Sequence, residues 1–156
     1  MAQKILVALD DSENAMRAVE FVANNLSPDN QITLFSVLLD TAAVCEMQSP
    51  ELIPYFLSKR DAFCSIEDKM KALVEEAVQK AKETLTGAGF VEQNITIKME
   101  TKKGSIAGDI VNEANSGYDI IVLGRRGLSG IKDFFFGSVT QKVLNSAKDV
   151  SVLLVN

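Results

Sequence analysis

Histidine is absent from the 156 residues of this chain. Without an imidazole, neither a Ser-His-Asp nor a Cys-His arrangement can activate a nucleophile, and metal sites built on histidine are excluded as well. Any catalysis would have to use carboxylates, lysine or a bound metal ion.

Cysteine is scarce, and so are long apolar runs and excess positive charge. Cys45 and Cys64 fit no zinc or redox spacing, and we interpret them as reduced thiols of a cytoplasmic protein, with a disulfide as the less favoured alternative. No apolar run approaches the length of a membrane span, and Met1 leads directly into a strand-like run, so we expect neither a membrane helix nor a signal peptide. The formal charge of −5 and the pI of about 4.8 argue against a nucleic-acid-binding surface.

Three familiar motifs are also missing. A P-loop requires Gly-Lys-Ser or Gly-Lys-Thr, and neither tripeptide occurs. A dinucleotide fingerprint requires G-x-G-x-x-G after the first strand, but the turn there, residues 10–12, holds no glycine. A nucleophile elbow requires G-x-S-x-G, which the Gly-Leu-Ser-Gly run at residues 127–130 misses by one position.

What is present is an alternation of short apolar runs and amphipathic segments. The runs predict five strands and the amphipathic segments predict four helices, in the order β-α-β-α-β-α-β-α-β. This order predicts a single α/β domain over residues 1–156, with a doubly wound five-stranded parallel sheet and helices on both faces. The predicted strands are residues 4–9, 32–39, 95–100, 120–123 and 150–155, and the predicted helices are residues 15–26, 66–85, 106–114 and 138–147.

One stretch, residues 40–65, shows no clean periodicity. It holds both cysteines together with Pro50 and Pro54. A segment of this length in a compact domain is usually functional or partly helical. We treat it as a variable insert between the second strand and the long helix, and a lid, a partner surface and an irregular connection all stay open.

Glycines cluster where the fourth strand gives way to the last helix. Gly124, Gly127 and Gly130 share one loop, and Gly137 stands directly before Ser138. Glycine allows backbone N–H groups to turn toward a ligand, and a helix N-terminus offers unpaired donors and a favourable dipole for anions. We therefore predict a phosphate site here. The structural alternative is a glycine-rich turn in which Ser138 begins a capping box.

The predicted topology places this loop beside a second candidate residue. In doubly wound sheets, ligands bind at the carboxyl ends of the strands, where the strand order reverses. With the order 3-2-1-4-5, that crevice lies between strands one and four, which end at Asp10 and Gly124. Asp10 is predicted to bond a ribose hydroxyl or a metal-bound water, with capping of the first helix as the alternative. Two features found independently thus point to one nucleotide or phosphate site.

The spacing G-x2-G-x9-G-S that runs from Gly124 to Ser138 resembles the nucleotide-binding signature of the universal stress protein family. The resemblance covers essentially the whole chain, from the opening run at residues 4–10 to the closing run at residues 151–155. It implies a Rossmann-like, adenine-nucleotide-hydrolase-like fold with five parallel strands in the order 3-2-1-4-5. Members with the full signature are generally of the ATP-binding kind.

The resemblance also implies a ligand and its contacts. The ligand would be ATP, or AMP or ADP, with Mg or Mn accompanying the triphosphate. Ala8 and Asp10 would contact the adenosine end, and Val37 would meet adenine through its backbone. Ribose and phosphates would be held by the loop and the helix start, at Gly124, Arg125, Arg126, Gly127, Gly130, Gly137, Ser138, Val139 and Thr140. The two arginines either neutralise phosphate or form a solvated surface pair.

The final strand is the expected dimer contact. An apolar edge over residues 150–155 would be a liability if left open, and family dimers often pair this strand with its twofold mate, so we predict a homodimer. Ser151 replaces a proline that is common in the family and supplies an N–H that proline lacks. Phe134, Phe135 and Phe136 are predicted to pack in the core or at an interface.

The expected function is that of a cytoplasmic, nucleotide-dependent regulatory or stress-response protein. Little or no intrinsic hydrolysis is expected, because the predicted cradle has no obvious base to activate water. A weak ATPase stays open as an alternative. So does a nucleotide-independent interaction module that uses residues 40–65 as its partner surface.

Overall fold

The sheet has the predicted architecture. The computed structural model describes residues 1–39, Cys45, 54–125 and 138–156, with the backbone alone for 54–58 and Ser138. Five parallel strands pair in the order β3-β2-β1-β4-β5. The strands are β1 (Lys4–Ala8), β2 (Gln31–Leu38), β3 (Ile95–Thr101), β4 (Ile120–Gly124) and β5 (Ser151–Val155).

Four helices of the described chain cover the two faces of this sheet. They are α1 (Glu13–Asn25), α2 (Pro54–Gly87), α3 (Ile106–Ala114) and α4 (Ser138–Ser146), and a 3-10 turn lies at Glu92–Asn94. Helices α1 and α2 pack on one core with Val7, Val19 and Leu85 fully buried. Helices α3 and α4 pack on the other core around Phe35 and Val143. The sheet is therefore covered on both faces, as the near-continuous apolar strands require.

Helix α1 begins with a side-chain cap, two residues before its predicted start. Ser12 is the N-cap, and its hydroxyl accepts a hydrogen bond from the backbone N–H of Ala15 at 3.2 Å. The N-terminal orphan donors of a helix favour such a cap. The cap fixes where the chain turns after β1, and so it sets the position of the α1 N-terminus at the carboxyl edge of the sheet.

Helix α2 begins earlier than its apolar periodicity predicted. The helix starts at Pro54 rather than Ile66, so the second half of the aperiodic insert is helical. Proline suits a first helical turn because its missing N–H would be unpaired there anyway. The earlier start was not predicted, because residues 40–65 show no clean period.

The interpretation of both cysteines as reduced thiols is wrong. Cys45 and Cys64 form a disulfide, with Cα atoms 5.9 Å apart. That distance lies within the usual range for bridged cysteines. The sequence favoured free thiols because their separation of 19 residues matches no motif, and because the early start of α2 was not foreseen. The bond ties the β2–α2 connection to the body of α2.

A carboxylate between β3 and α3 anchors the second face. Glu113 accepts hydrogen bonds from Lys98 Nζ at 2.7 Å and from the Tyr118 hydroxyl at 2.8 Å. The hydrogen bond to Glu113 raises the pKa of Lys98. Burial is the main cause that raises the pKa of Tyr118 above its usual value. These hydrogen bonds fix the position of α3, and of the turn that precedes it, relative to the sheet.

Candidate functional site

The carboxyl ends of β1 and β4 lie side by side at the place where the topology predicts a ligand crevice. These strands are neighbours, with Val7 beside Val122, although two other strands and three helices separate them in the chain. Helices α1 and α2 lie on one face of the sheet, and α3 and α4 lie on the other. The place between β1 and β4 is therefore the switch point of the sheet. Asp10 and Gly124 leave adjacent strand ends, so the structure brings together the two features that the sequence singled out.

Asp10 is half-buried at the end of β1 and has one oxygen engaged. Its Oδ1 accepts a hydrogen bond from the Ser12 N–H at 2.8 Å. This bond shapes the turn into α1, whereas the helix cap, which we held as the alternative role of Asp10, is Ser12. Within the described part of the chain, Oδ2 makes no hydrogen bond. Asp10 can therefore shape the turn with one oxygen and accept from a ligand hydroxyl or a metal-bound water with the other.

Val37 presents backbone rather than side chain to the crevice. The N–H of Leu9 donates to Phe35 O at 2.9 Å, so the polar groups of Phe35 face β1. Alternation along a strand places the N–H and C=O of Val37 on that same side. Strand β1 ends at Ala8, opposite Phe35, so this donor and acceptor lie past the end of the neighbouring strand. That arrangement can hydrogen-bond the edge of a flat heterocycle.

The Leu9 carbonyl accepts a hydrogen bond from the buried hydroxyl of Ser36 at 2.8 Å. Among the described residues, it accepts none from the Val37 N–H. Beside it, the half-buried Ala8 packs against the core of α3 and α4, as Val37 and Val139 do. The crevice therefore has an apolar floor, with a backbone donor and acceptor at one side and the Asp10 carboxylate at another.

Gly124 is required by a close approach between elements. A Cβ added at this position would lie 2.6 Å from Asn14 O and 3.0 Å from Ala15 N. Both atoms belong to the backbone of the first turn of α1, which cannot move aside as a flexible side chain could. Glycine thus allows the end of β4 to touch α1, and this contact closes one wall of the crevice.

Thr140 ties the start of α4 to the end of β4. Its buried hydroxyl donates to Gly124 O at 3.2 Å. A hydroxyl carries a single hydrogen, so in this structure the side chain cannot also donate to a phosphate. The backbone N–H groups of the first turn of α4, including those of Val139 and Thr140, keep the ability to bind an anion. The hydroxyl positions these donors.

Arg125 contacts the C-terminus of the described chain. Its backbone N–H donates to Val155 O at 2.8 Å, and its Nη1 donates to Asn156 Oδ1 at 3.0 Å. The arginine therefore joins the ends of β4 and β5 on the far side of Gly124 from β1.

Four other predicted contacts, Arg126, Gly127, Gly130 and Gly137, lie outside the described residues, as do Phe134–Phe136 and the insert at 40–44 and 46–53. For Ser138 the structure gives only its place as the first residue of α4.

Two polar residues near the start of α4 were not found from the sequence. Lys142 Nζ donates to Ser105 Oγ at 3.0 Å, which links α4 to the N-cap of α3. The same Ser105 oxygen accepts from Gly108 N, and Asp109 accepts from Lys103 N, so the turn before α3 is held at both ends. The signal available was the spacing of Lys142, one helical turn after Ser138. Lys142 adds a positive charge close to the proposed anion site.

Within the described ranges, no group of three or more carboxylate, cysteine or histidine side chains is arranged to hold a metal ion. A search of the same residues finds no helix with the length and apolarity needed to cross a bilayer. At the carboxyl ends of β1 and β4, the described residues present backbone donors and acceptors and the Asp10 carboxylate.

Comparison with known proteins gives a consistent result. All 156 residues match the model of the universal stress protein family. The universal stress protein YxiE of Bacillus subtilis is 30% identical over 144 residues, which cover 92% of each chain. The structure of the universal stress protein UspA from Lactobacillus plantarum superposes with a TM-score of 0.70 at 21% identity, over 99% of this chain and 97% of that one.

One solved neighbour holds a ligand. A universal stress protein in complex with cAMP superposes with a TM-score of 0.63 at 20% identity, over 99% of this chain and 97% of that one. At such identities the likeness is one of fold. The strand order 3-2-1-4-5 and the switch-point crevice are the features that this fold carries.

Proposed function

Because the chain belongs to the universal stress protein family, we propose that it is a nucleotide-binding regulatory protein whose ligand is an adenine nucleotide, with ATP as the first choice. The observation that supports the proposal is the position of the Val37 backbone N–H and C=O, which lie past the end of β1 beside the half-buried Ala8. Adenine offers a matching donor and acceptor on one flat edge. The neighbour that binds cAMP supports the adenine class.

The ligand contacts divide into three groups. Val37 and Ala8 receive the adenine, and Asp10 Oδ2 accepts from a ribose hydroxyl. Backbone N–H groups at the start of α4 bind phosphate, with the helix dipole favouring the negative charge. The residues proposed to hold ribose and phosphates, the start of α4 included, are Gly124, Arg125, Arg126, Gly127, Gly130, Gly137, Ser138, Val139 and Thr140.

A divalent cation, Mg²⁺ or Mn²⁺, accompanies the triphosphate in this proposal. Asp10 would reach it through a water molecule, since Mg²⁺ usually keeps several waters and takes its other ligands from the phosphates. The ion would neutralise phosphate charge next to a chain that is itself acidic. Titration of ATP with and without Mg²⁺ tests this: tighter binding with the ion supports it, and equal binding contradicts it.

We propose that bound ATP is hydrolysed slowly or not at all. Asp10 is the only carboxylate that we place in the crevice, and one of its oxygens already shapes the turn. A weak ATPase is the alternative, and it predicts multiple turnovers that Asp10→Ala abolishes. Phosphate release from ATP by the purified protein decides between them, since a signal equal in wild type and variant would come from a contaminant.

We propose that the protein pairs through β5 as a homodimer. Ser151 N–H donates to Asp119 O at 3.0 Å, which places the N–H groups of residues 151, 153 and 155 toward β4. The N–H groups of Val152 and Leu154 then face the open side of this edge strand. Leu154→Pro removes one outward donor and spares the β4 ladder, so we expect it to halve the mass measured by light scattering. Unchanged mass would contradict pairing at this edge.

The proposed location is the cytoplasm, and the disulfide bears on it. Disulfides are rare in reducing compartments, so in the cytoplasm the Cys45–Cys64 bond would form under oxidising conditions.

A nucleotide-independent interaction module remains the second candidate function. The long exposed half of α2 favours it, because a surface of that kind serves partners.

The nucleotide that the protein carries tests the main proposal. Purified protein is denatured, and any released small molecule is identified by mass spectrometry. We expect an adenine nucleotide in stoichiometric or partial amount, and the emptied protein should bind added ATP and AMP. Absence of both bound nucleotide and binding would reject the adenine proposal and leave the interaction module.

A further inference from the structure

Helix α2 is far longer than the core it packs against. Its 34 residues span about 50 Å, whereas α1 has 13 residues. Its C-terminal half is anchored, with Val78, Ala81 and Leu85 buried. From residue 59 to residue 73 no position is buried. Of the residues that the structure describes, none covers this part of the helix to the point of burial.

This part of the helix carries one narrow apolar stripe. Its members are large, exposed side chains on one face, with exposed fractions of 44, 56, 40 and 47%, and we name them the helix stripe: Phe63, Ile66, Met70 and Leu73. Their spacing is three, four and three residues, and Ala77 continues it. Such a 3-4 repeat is the seam by which one helix packs on another, narrower than the face that a globular core covers. The spacing therefore indicates a single helix as the occupant.

The area of the helix stripe matches the need of a small stable interface. Four half-exposed residues of roughly 200 Å² each leave about 350 Å² of apolar surface open, already at the level of the largest patch on many monomers. Two copies facing each other would bury about 700 Å². That equals the apolar share, about 60%, of the roughly 1,200 Å² at which specific interfaces begin.

Charge does not oppose a second copy at this place. The whole chain has a formal charge of −5, but residues 59–73 carry four cations and three carboxylates. Near Leu73 the stripe opens into a groove of about 490 Å³ between α1 and α2. The rim of the groove carries more negative than positive side chains, namely Asp11, Glu13, Glu20 and Glu76 against Arg17 and Lys80.

We propose that a second copy of this chain covers the helix stripe by laying its own stripe antiparallel against it. A twofold axis that crosses the stripe midway between Ile66 and Met70 places Lys59 of one copy opposite Ala77 of the other. Lys59 and Arg60, the latter paired with Asp61 of its own helix at 3.1 Å, then approach the more strongly acidic rim of the groove. The contact is separate from β5, and the two contacts would close a tetramer with their twofold axes crossing at right angles.

The first test measures mass against concentration by sedimentation equilibrium. Ile66→Glu combined with Met70→Glu places carboxylates in the seam, and Leu144→Glu, on the opposite face of the sheet and 39% exposed, is the matched control. We expect the double variant to show half the mass of wild type and of the control, with the same helix content by circular dichroism. Ile66→Leu with Met70→Leu should keep the wild-type mass. Equal masses for wild type and the Glu double variant overturn the proposal, and they do so whether or not the chain pairs through β5. The helix stripe would then be a surface for a different protein.

The second test addresses the charged ends. Glu20→Lys with Glu76→Lys reverses the charge of the groove rim and should weaken association of the two copies at least tenfold at low salt. Asp68→Lys with Glu75→Lys makes the same charge change on the outward face of α2 and should leave the association constant unaltered. Added salt should weaken wild-type association and narrow the difference between the variants. Equal effects of the two double variants overturn the antiparallel arrangement.

Discussion

Gly124 shows how one residue can serve the fold and the proposed site at once. The position of its missing Cβ is occupied by the backbone of Asn14, 2.6 Å away. We predict that Gly124→Ala lowers the free energy of unfolding by about 1–3 kcal/mol, the usual cost of overpacking. Urea unfolding measures it. Gly104→Ala is the matched control, because no atom lies within 4 Å of its Cβ position, and a similar loss in the control would contradict this explanation.

Thr140 allows the positioning role of a hydroxyl to be separated from packing. Its bond to Gly124 O links the start of α4 to the crevice. We expect Thr140→Val to cost about 1–3 kcal/mol, because the half-buried Gly124 carbonyl loses its donor, and to weaken ATP binding because the α4 N–H groups shift. Thr140→Ser keeps the hydroxyl and should bind ATP as wild type does. ATP affinity that is unchanged in the valine variant would contradict the positioning role.

The raised pKa of Tyr118 predicts how the free energy of unfolding changes at alkaline pH. Burial raises its pKa above the usual value, so above about pH 10 the native state holds a proton that the unfolded chain has lost. The unfolded state then binds fewer protons, and the free energy of unfolding falls as pH rises through the folded pKa. Tyr118→Phe should flatten this decline in urea unfolding at a series of pH values. Parallel curves for the two proteins would contradict it, since the raised pKa of Lys98 acts equally in both.

Sequence patterns located residues better than they assigned roles. Asp10 and Gly124 were placed correctly, because strand ends follow from apolar runs and parallel strands end at one edge. The engagement of the Thr140 hydroxyl was not foreseen, since it depends on how closely α4 approaches β4. The contact of Lys142 with Ser105 was missed for the same reason: 37 residues separate the two in the chain.

At the scale of elements, apolar periodicity predicted α2 only from Ile66 onward. Ala81 and Leu85 recur at helical spacing and pack inside, and the exposed Ile66, Met70 and Leu73 continue that spacing. The start at Pro54 was not predicted, because residues 40–65 show no clean period. Strand bounds were accurate to a residue or two, since apolar runs flanked by turns leave little freedom. The disulfide was misjudged because pairing depends on the three-dimensional distance between the two Cα atoms.

The disulfide should stabilise the β2–α2 connection measurably. Closing a loop of 19 residues restricts the unfolded chain by about 3 kcal/mol in the chain-entropy model. We predict that a reducing agent, or Cys45→Ser with Cys64→Ser, lowers the free energy of unfolding by up to that amount. The reducing agent should have no effect on the double variant. Thiol titration of the unfolded, unreduced protein should find no free cysteine, and two free thiols would contradict the bond.

For the whole molecule, the order of elements predicted a parallel sheet with helices on both faces, because alternating strands and helices need right-handed crossovers and two covered faces. The strand order itself came from the family resemblance, and the sheet order β3-β2-β1-β4-β5 confirms it. This order makes the boundary between β1 and β4 the switch point. Topology does not name the ligand. That depends on a few backbone groups past the strand ends, and the account rests on their fit to adenine.

Isothermal titration of nucleotide-free protein with ATP tests this central claim most directly. We predict one saturable site per chain with micromolar affinity, competition by AMP and cAMP, and weak or no binding of GTP, whose base edge carries a different donor and acceptor pattern. Asp10→Ala should weaken binding, and Asp68→Ala, far from the crevice on α2, should not. Absence of saturable heat, or equal affinity for ATP and GTP, would contradict the account.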